Sequence, residues 1–191
     1  MNALAQNTSG VNDLELVNAC RQGDTTSFVH LYRRYQQRVR STLYQLCGSD
    51  MLEDLVQEVF LRVWKGLPKL RNASYFSTWL YRITWNVAND SRRQSARHSP
   101  IESGEASLGT AEAKPQDMPD LMQLHYQDLV QRGLQSLRLE HRAVLVLHDL
   151  EDIPQKEVAK ILDLPLGTIK SRLFYARQAI RDFFIEQGVW Q

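Results

Sequence analysis

No stretch of this 191-residue chain approaches the roughly 20 consecutive apolar residues of a membrane span. Its first ten residues, Met1 to Gly10, are polar and uncharged, without the basic start and apolar run of a secretory leader. The expectation is a soluble cytoplasmic protein that does not insert into membranes. Cysteine is scarce: Cys20 and Cys47 make neither a disulfide framework nor a CxxC metal or redox motif. His30, His98, His125, His141 and His148 form no HExxH pattern; His141 and His148 share a helix face but have no cysteine nearby. A glycine-rich phosphate loop, a GxSxG elbow and a DxDxDG calcium loop are all missing. These absences point away from an enzyme, and from any metal or cofactor. The alternating pattern of strands is missing too, so the fold class expected is all-α.

Charge of one sign is also lacking overall, since 23 basic against 22 acidic side chains leave a net charge of +1. That total looks wrong for a nucleic-acid binder, whose affinity rests on cations displacing counterions from phosphate. Its distribution is uneven. Residues 1–94 carry 12 basic and 8 acidic groups, residues 95–119 carry 2 and 4, and residues 120–191 carry 9 and 10. Val59 to Asn89 contains no acid, yet holds Arg62, Lys65, Lys69, Arg71 and Arg82, with Arg92, Arg93 and Arg97 close behind. A second acid-free stretch, Leu164 to Arg181, holds Lys170, Arg172, Arg177 and Arg181. It follows an acidic run of Asp149, Glu151, Asp152, Glu157 and Asp163. Local fields of this kind, more than the total, decide binding.

Ser95 to Pro119 has four serines, three prolines, two glycines and no Phe, Trp or Tyr, the composition of a flexible linker. It divides two small helical domains, 12–94 and 120–191, and residues 1–11 are expected to be a disordered N-terminus. In the first domain Asn12 or Asp13 can cap a short helix ending at Gly23, and Asp24 a longer one running to Gly48. A third helix starts near Asp50; Leu52, Leu55, Val56, Val59, Phe60 and Val63 recur along it at helical spacing, and Gly66 with Pro68 stops it. The fourth, from about Tyr75, places Phe76, Leu80, Ile83 and Val87 on one stripe. A neighbouring stripe of Trp79, Arg82 and Asn86 is unusual for a solvated face.

The second domain closes with two segments, PQKEVAKIL and PLGTIKSRLFYARQAIRDFF, joined by a turn around Asp163 and Leu164. This is helix-turn-helix spacing. Val158, Ala159, Ile161 and Leu162 can pack the first helix, and Ile169, Leu173, Ala176 and Ile180 the second. Lys170, Ser171, Arg172, Phe174, Tyr175 and Arg177 then face outward, as in a helix entering a major groove.

DLVQEVFLRVWKGLPKL, STWLYRITWNVAND and LPLGTIKSRLFYARQAI, in this order and separation, resemble segments of the extracytoplasmic-function (group 4) sigma factors of the bacterial sigma-70 family. With the flanking helices they cover nearly the whole chain except the first residues and the linker, and the sigma-E branch is the most similar. The resemblance implies that 12–94 is region 2 and 120–191 is region 4. It also implies a transcription initiation factor that binds the β′ clamp and β flap of core RNA polymerase. Such a factor holds promoter DNA as duplex at the −35 element and as a single strand at the −10 element, and is itself restrained by an anti-sigma factor in a stress or envelope response.

Residue by residue, the polymerase-binding helix matches Asp54 to Leu67, so that Asp54, Gln57 and Glu58 meet the clamp with the apolar residues Leu55, Phe60 and Leu61 behind them. Carboxylates and an amide on one face suit a basic protein partner and repel phosphate. The −10 reader matches Lys69 to Arg93. Lys69, Leu70, Arg71, Asn72 and Ala73 correspond to its specificity loop and approach, Asn86 to the polar residue under a captured base, and Arg93 to its basic end. Tyr75, Trp79, Arg82 and Trp85 are candidates for stacking and phosphate contact, with core packing the alternative for the two tryptophans. The −35 reader matches Gln155 to Phe174. Lys170, Ser171 and Phe174 fall at base-contacting positions, Thr168 and Arg172 at phosphate positions, and Arg177 one turn on. Two arginines of the sigma-E branch are replaced here by Lys170 and Tyr175, which removes bidentate guanine contacts. Pro154 stands where that branch has a capping serine. The chief rival reading, a DNA-binding regulator using only the helix-turn-helix, gives no reason for the acid-free aromatic segment.

Overall fold

The computed structural model describes residues 12–98 and 121–189. The N-terminal segment 1–11 and residues 99–119 of the expected linker lie outside the described residues.

Local chemistry sets each helix boundary. The Asn12 side chain accepts the Leu14 N–H and starts α1 (Asp13–Arg21). Asp24 accepts the Thr26 N–H at 2.9 Å and the Ser27 hydroxyl at 2.6 Å, opening α2 (Thr25–Cys47). Those bonds favour its ionised form and hold the carboxyl below the usual range. Gly48, at φ 85°, ends α2 in a conformation that glycine takes without strain. Then come α3 (Leu52–Gly66), two single 3₁₀ turns (Leu67–Lys69 and Ala73–Tyr75) and α4 (Phe76–His98). Helix α4 overruns the expected boundary at 94 and absorbs the first four residues of the Ser95-to-Pro119 segment. In the second half α5 (Leu121–Ser136) leads to α6 (Leu139–Leu145), which continues as a π-helical turn, Val146–Leu150. Then α7 (Gln155–Leu162) and α8 (Leu166–Glu186) follow. Among the described residues there are eight α-helices and no strand, as the all-α expectation requires.

The turn between α7 and α8 is Asp163–Pro165. Asp163 takes the left-handed conformation at φ 56°, and the Leu164 N–H returns to the Ala159 carbonyl. Pro154 occupies the cap position just ahead of α7, and its carbonyl accepts from Glu157 and Val158. The helices pack through the stripes read from sequence. Leu31, Tyr35, Val39, Leu43 and Leu46 of α2 meet Leu55, Val56, Val59, Phe60 and Val63 of α3 and Phe76, Leu80, Val87 and Ala88 of α4. Ala143, Val144 and Leu147, with Val158, Ile161, Ile169, Leu173 and Ala176, form the core of the second half.

The two cores are continuous. Helices α5, α6 and the π turn pack on α2, and α7 packs along α4. Arg142, only 7% exposed, donates to the Leu46 carbonyl of α2, and also to Gln135 and to the Leu137 carbonyl at 2.9 Å. Burial lowers its pKa to about 10, so it stays charged at neutral pH.

Candidate polymerase and promoter interfaces

Helix α3 turns its apolar stripe inward and leaves Glu53, Asp54, Gln57, Leu61, Trp64 and Lys65 outward. Two of the residues read from sequence as polymerase-binding do not reach the surface. Leu55 and Phe60 are 8% and 5% exposed, so they support the face from behind. Glu58 is engaged as well. It pairs with Arg62 at 2.7 Å, and Arg62 reaches Asp90 of α4 at 2.9 Å, tying α3 to α4 and raising the guanidinium pKa through these bonds. Asp54, Gln57 and Leu61 remain exposed.

Beside them lies a groove of about 610 Å³ between α2 and α3, lined by Phe28, Val29, Tyr32, Gln57, Leu61 and Trp64 among others. Phe28 meets Trp64 edge-on at 4.8 Å and Tyr32 meets Phe60 at 4.6 Å, so the walls are rigid aromatic pairs. Val29, Tyr32, Leu61 and Trp64 are all exposed large apolar residues. Sequence reasoning missed Phe28, Val29, Tyr32 and Trp64. The available signal was that Phe28 and Tyr32, at i and i+4, fall off the buried stripe of α2 next to Leu61 and Trp64 of α3.

The acid-free segment splits into walls and contacts. Lys69, Arg71, Asn86 and Arg93 are exposed. Ala73 is 6% exposed and belongs to the core, not to a base-reading loop, and Leu70 packs partly against the same core. The Asn72 side chain is taken up by capping, since it accepts the Ser74 N–H at 3.0 Å. Trp79 lies over Gly66, where a Cβ would come within 2.7 Å of its ring, and beside Phe76 at 6.1 Å. Trp79 and Trp85 are both half-buried against the core, which favours the packing alternative over full exposure for stacking. Arg82 is exposed and faces Asp163 at 3.6 Å. Tyr75 is exposed and lies under the Lys160 ammonium at 5.6 Å.

On α8, Ile169, Leu173 and Ala176 are buried and Ile180 partly so, while Lys170, Ser171, Phe174, Tyr175 and Arg177 project. Phe174 and Tyr175, at 62% and 60% exposed, are large aromatic groups at the surface; they meet edge-on at 5.5 Å, and Tyr175 stacks beside His141 at 6.5 Å. Thr168 and Arg172 are half-buried at the edges of this face. The π turn contributes a residue not anticipated from sequence. Asp149 holds Arg177 with both oxygens, at 2.9 Å to Nε and 2.6 Å to Nη2, and raises its pKa through those bonds. Asp149, Gln155, Lys170, Phe174 and Arg177 line one cavity of about 580 Å³. Among the described residues no cluster of His, Cys, Asp and Glu could hold a metal, and no helix is long and apolar enough to cross a membrane.

Comparison with known proteins matches this layout. The family described as Sigma-70 region 2 matches residues 31–98, and the family Sigma-70, region 4 matches residues 127–180. The ECF RNA polymerase sigma-E factor of Escherichia coli is 33% identical over 177 residues, covering 89% of this chain and 93% of the relative. That of Haemophilus influenzae is 30% identical over 180 residues, covering 90% and 95%. Two solved structures share the fold. CnrH in complex with the cytosolic domain of CnrY has a TM-score of 0.69 at 20% identity, covering 91% of this chain and 97% of that one. RpoE in complex with the anti-sigma factor NepR from Bartonella quintana has 0.66 at 22%, covering 82% and 96%.

Proposed function

Because the chain belongs to the extracytoplasmic-function sigma factors of the sigma-70 family, which act in promoter-specific transcription initiation with RNA polymerase, we propose a division of labour among its faces. Asp54, Gln57 and Leu61, with the aromatic groove of Tyr32 and Trp64, take the β′ clamp. An apolar groove rimmed by carboxylates fits a basic, partly apolar protein surface and repels DNA. The exposed cations Lys69, Arg71, Arg82 and Arg93 with Asn86 hold the unpaired −10 strand against walls made by Tyr75, Trp79 and Trp85. Helix α8 reads duplex −35 DNA through Lys170, Ser171, Phe174 and Tyr175, with Thr168, Arg172 and Arg177 at the phosphates. Core polymerase supplies the phosphoryl-transfer chemistry; this chain positions it and catalyses nothing. It works in the cytoplasm, at the nucleoid through polymerase. An anti-sigma factor is its expected restraint, in a stress or envelope response, as the complexes of its structural neighbours suggest.

The observation that carries the reading is the exposed row of Lys170, Ser171, Phe174 and Tyr175 on α8, in a chain whose other half presents an aromatic, basic stretch of α4 that is acid-free up to Asn89. Run-off transcription from a randomised promoter library, with core polymerase alone and with this protein added, tests it. Transcripts that need the protein and share two short elements at fixed spacing are expected. Duplex binding without transcription would replace this reading by that of a repressor or activator.

A further inference from the structure

We propose that Phe174 and Tyr175 form a carbon surface on α8 that selects thymine through its C5 methyl group, with His141 of α6 as the positioning residue that holds Tyr175. The proposal rests on the assignment of α8 to duplex −35 DNA and adds which base that helix prefers.

Several hydrogen-bonding groups on the outward row of α8 are already engaged. Ser171 donates its hydroxyl to the Thr168 carbonyl at 3.0 Å, which turns its proton back toward its own helix. Arg177 is bound along one edge of its guanidinium by both oxygens of Asp149. Glu151, the next acid along, turns the other way, to the Thr42 and Tyr81 hydroxyls of the first domain, and takes no part in this face. Lys170 supplies a point charge, without the planar fork with which arginine grips guanine O6 and N7 together. Between Ser171 and Arg177 the projecting surface is the pair of exposed rings, Phe174 and Tyr175.

Phe174 has no hydrogen bond to give. In the major groove the base pairs differ in their donors and acceptors, and the one carbon feature is the thymine methyl. A ring laid against that methyl removes apolar surface of both from water, a gain that the polar edges of the other bases do not offer. Ring centres 5.5 Å apart span between one and two base pairs at about 3.4 Å per pair, so the two rings reach methyls on neighbouring pairs. A protein partner is the other use for exposed rings. Here, however, they sit in Leu164 to Arg181, a stretch with no acid, flanked by Lys170 and Arg177, which suits phosphate on either side.

Tyr175 is also held from outside its own helix. Helix α6 packs against α8, and its half-buried His141 lies nearly parallel to the Tyr175 ring, with 19° between planes and 6.5 Å between centres. Phe174 meets the same ring at 78°. A tyrosine with two ring neighbours and only two side-chain torsions loses little freedom when it binds.

The test uses the full chain with core polymerase and templates carrying the −35 element selected from the randomised library. Each thymine of that element is replaced in turn by uracil, which removes the methyl and leaves the hydrogen-bonding groups of the pair unchanged. In competition with the thymine template, run-off transcription should fall about fourfold for each methyl that a ring covers, at two neighbouring positions. This arm needs no variant, so it stands whether or not a substitution disturbs folding. Tyr175→Phe should keep the sensitivity, and Tyr175→Ala should abolish it at one of the two positions, leaving the other to Phe174. His141→Ala should lower the thymine-to-uracil ratio at the Tyr175 position by about twofold, with His141→Phe restoring it. Uracil templates transcribed as well as thymine templates, or a selected element without thymine, would overturn the proposal. So would a Tyr175→Ala loss equal on both templates, which would make the rings a protein contact. Failure to obtain any protein-dependent transcript from the library would strike the assignment of α8 itself, so the two failures are distinct.

Discussion

The two faces proposed to read DNA are built on opposite plans. Helix α8 buries Ile169, Leu173 and Ala176, half-buries Thr168, Arg172 and Ile180, and presents Lys170, Ser171, Phe174, Tyr175 and Arg177, so its contacts project from one rigid helix. Helix α4 shares its residues between the face proposed for the strand and the core: Phe76, Leu80, Tyr81, Val87 and Ala88 are buried, Trp79 and Trp85 are half-buried, and Arg82 and Asn86 are exposed. The contrast follows from the ligand. Duplex DNA offers a groove that a protruding helix can enter, whereas an unpaired base needs a wall and a floor, which only residues anchored in a core supply. The first face is therefore expected to tolerate mutation without unfolding, and the second to couple binding to stability.

The largest effect expected comes from Arg142→Ala. It strips partners from the carbonyls of Leu46, Gln135 and Leu137 at once. Hydrogen bonds to a buried charge are costly to leave unmade, and a loss of about 3 kcal/mol is expected in urea unfolding. Amide exchange should rise in α5 and at the end of α2. If α2 kept its protection, the second domain would not be capping it, and the two faces would be independent after all.

Nothing local in the sequence signals that interaction. Arg142 sits in a run, HRAVLVLHD, where an arginine looks like a solvated residue, and its partner on α2, the Leu46 carbonyl, lies 96 positions away. What was legible was whatever a helix fixes by itself: the caps at Asn12, Asp24 and Gly48, the α3 stripe, and the α8 stripe with its outward row. The α4 segment was legible as a basic aromatic block but not in its division of roles. Sequence cannot tell a wall from a contact when both are tryptophans. Ala73 falls in the match to a specificity loop, and nothing local in the sequence shows that the 3₁₀ turn carrying it packs on the core, where it is 6% exposed. The π turn at Val146–Leu150, which aims Asp149 and Glu151 in different directions, leaves no mark in propensity.

Gly66→Ala probes the wall directly. A methyl group there would sit 2.7 Å from the Trp79 ring, which is held by Phe76 and cannot swing freely. Overpacking of this kind costs about 2 kcal/mol. Thermal unfolding should report that loss, and single-strand binding should fall with it, while duplex binding by α8 stays unchanged. Phe174→Ala is the counterpart on the other face. Because Phe174 is exposed, stability should move by less than about 0.5 kcal/mol, while duplex −35 binding weakens by about 1.5 kcal/mol, roughly tenfold. A fall in stability comparable to that of Gly66→Ala would erase the proposed difference between the faces.

The smallest effect is also the most discriminating, and it concerns Asp149. A carboxylate beside a DNA-reading helix repels phosphate, so its presence needs a compensating gain. The pair with Arg177 is bidentate but lies at the surface, with side chains 27% and 55% exposed, so its share of stability is about 0.5 kcal/mol. Its larger effect is on the guanidinium, two of whose nitrogens are fixed in direction before DNA arrives. Asp149→Asn removes one negative charge and releases Arg177. Overall duplex affinity should then rise and the salt dependence steepen by about one phosphate contact, while the ratio between the selected −35 sequence and random duplex falls. That ratio, measured by competition at several salt concentrations, separates two roles for Arg177. An unchanged ratio would mean that the arginine serves phosphate alone, leaving base selection to Lys170, Ser171, Phe174 and Tyr175. A lowered ratio would make Asp149 the residue that turns a mobile cation into a directional one, supplying part of the specificity that Lys170 and Tyr175, in place of arginines, do not.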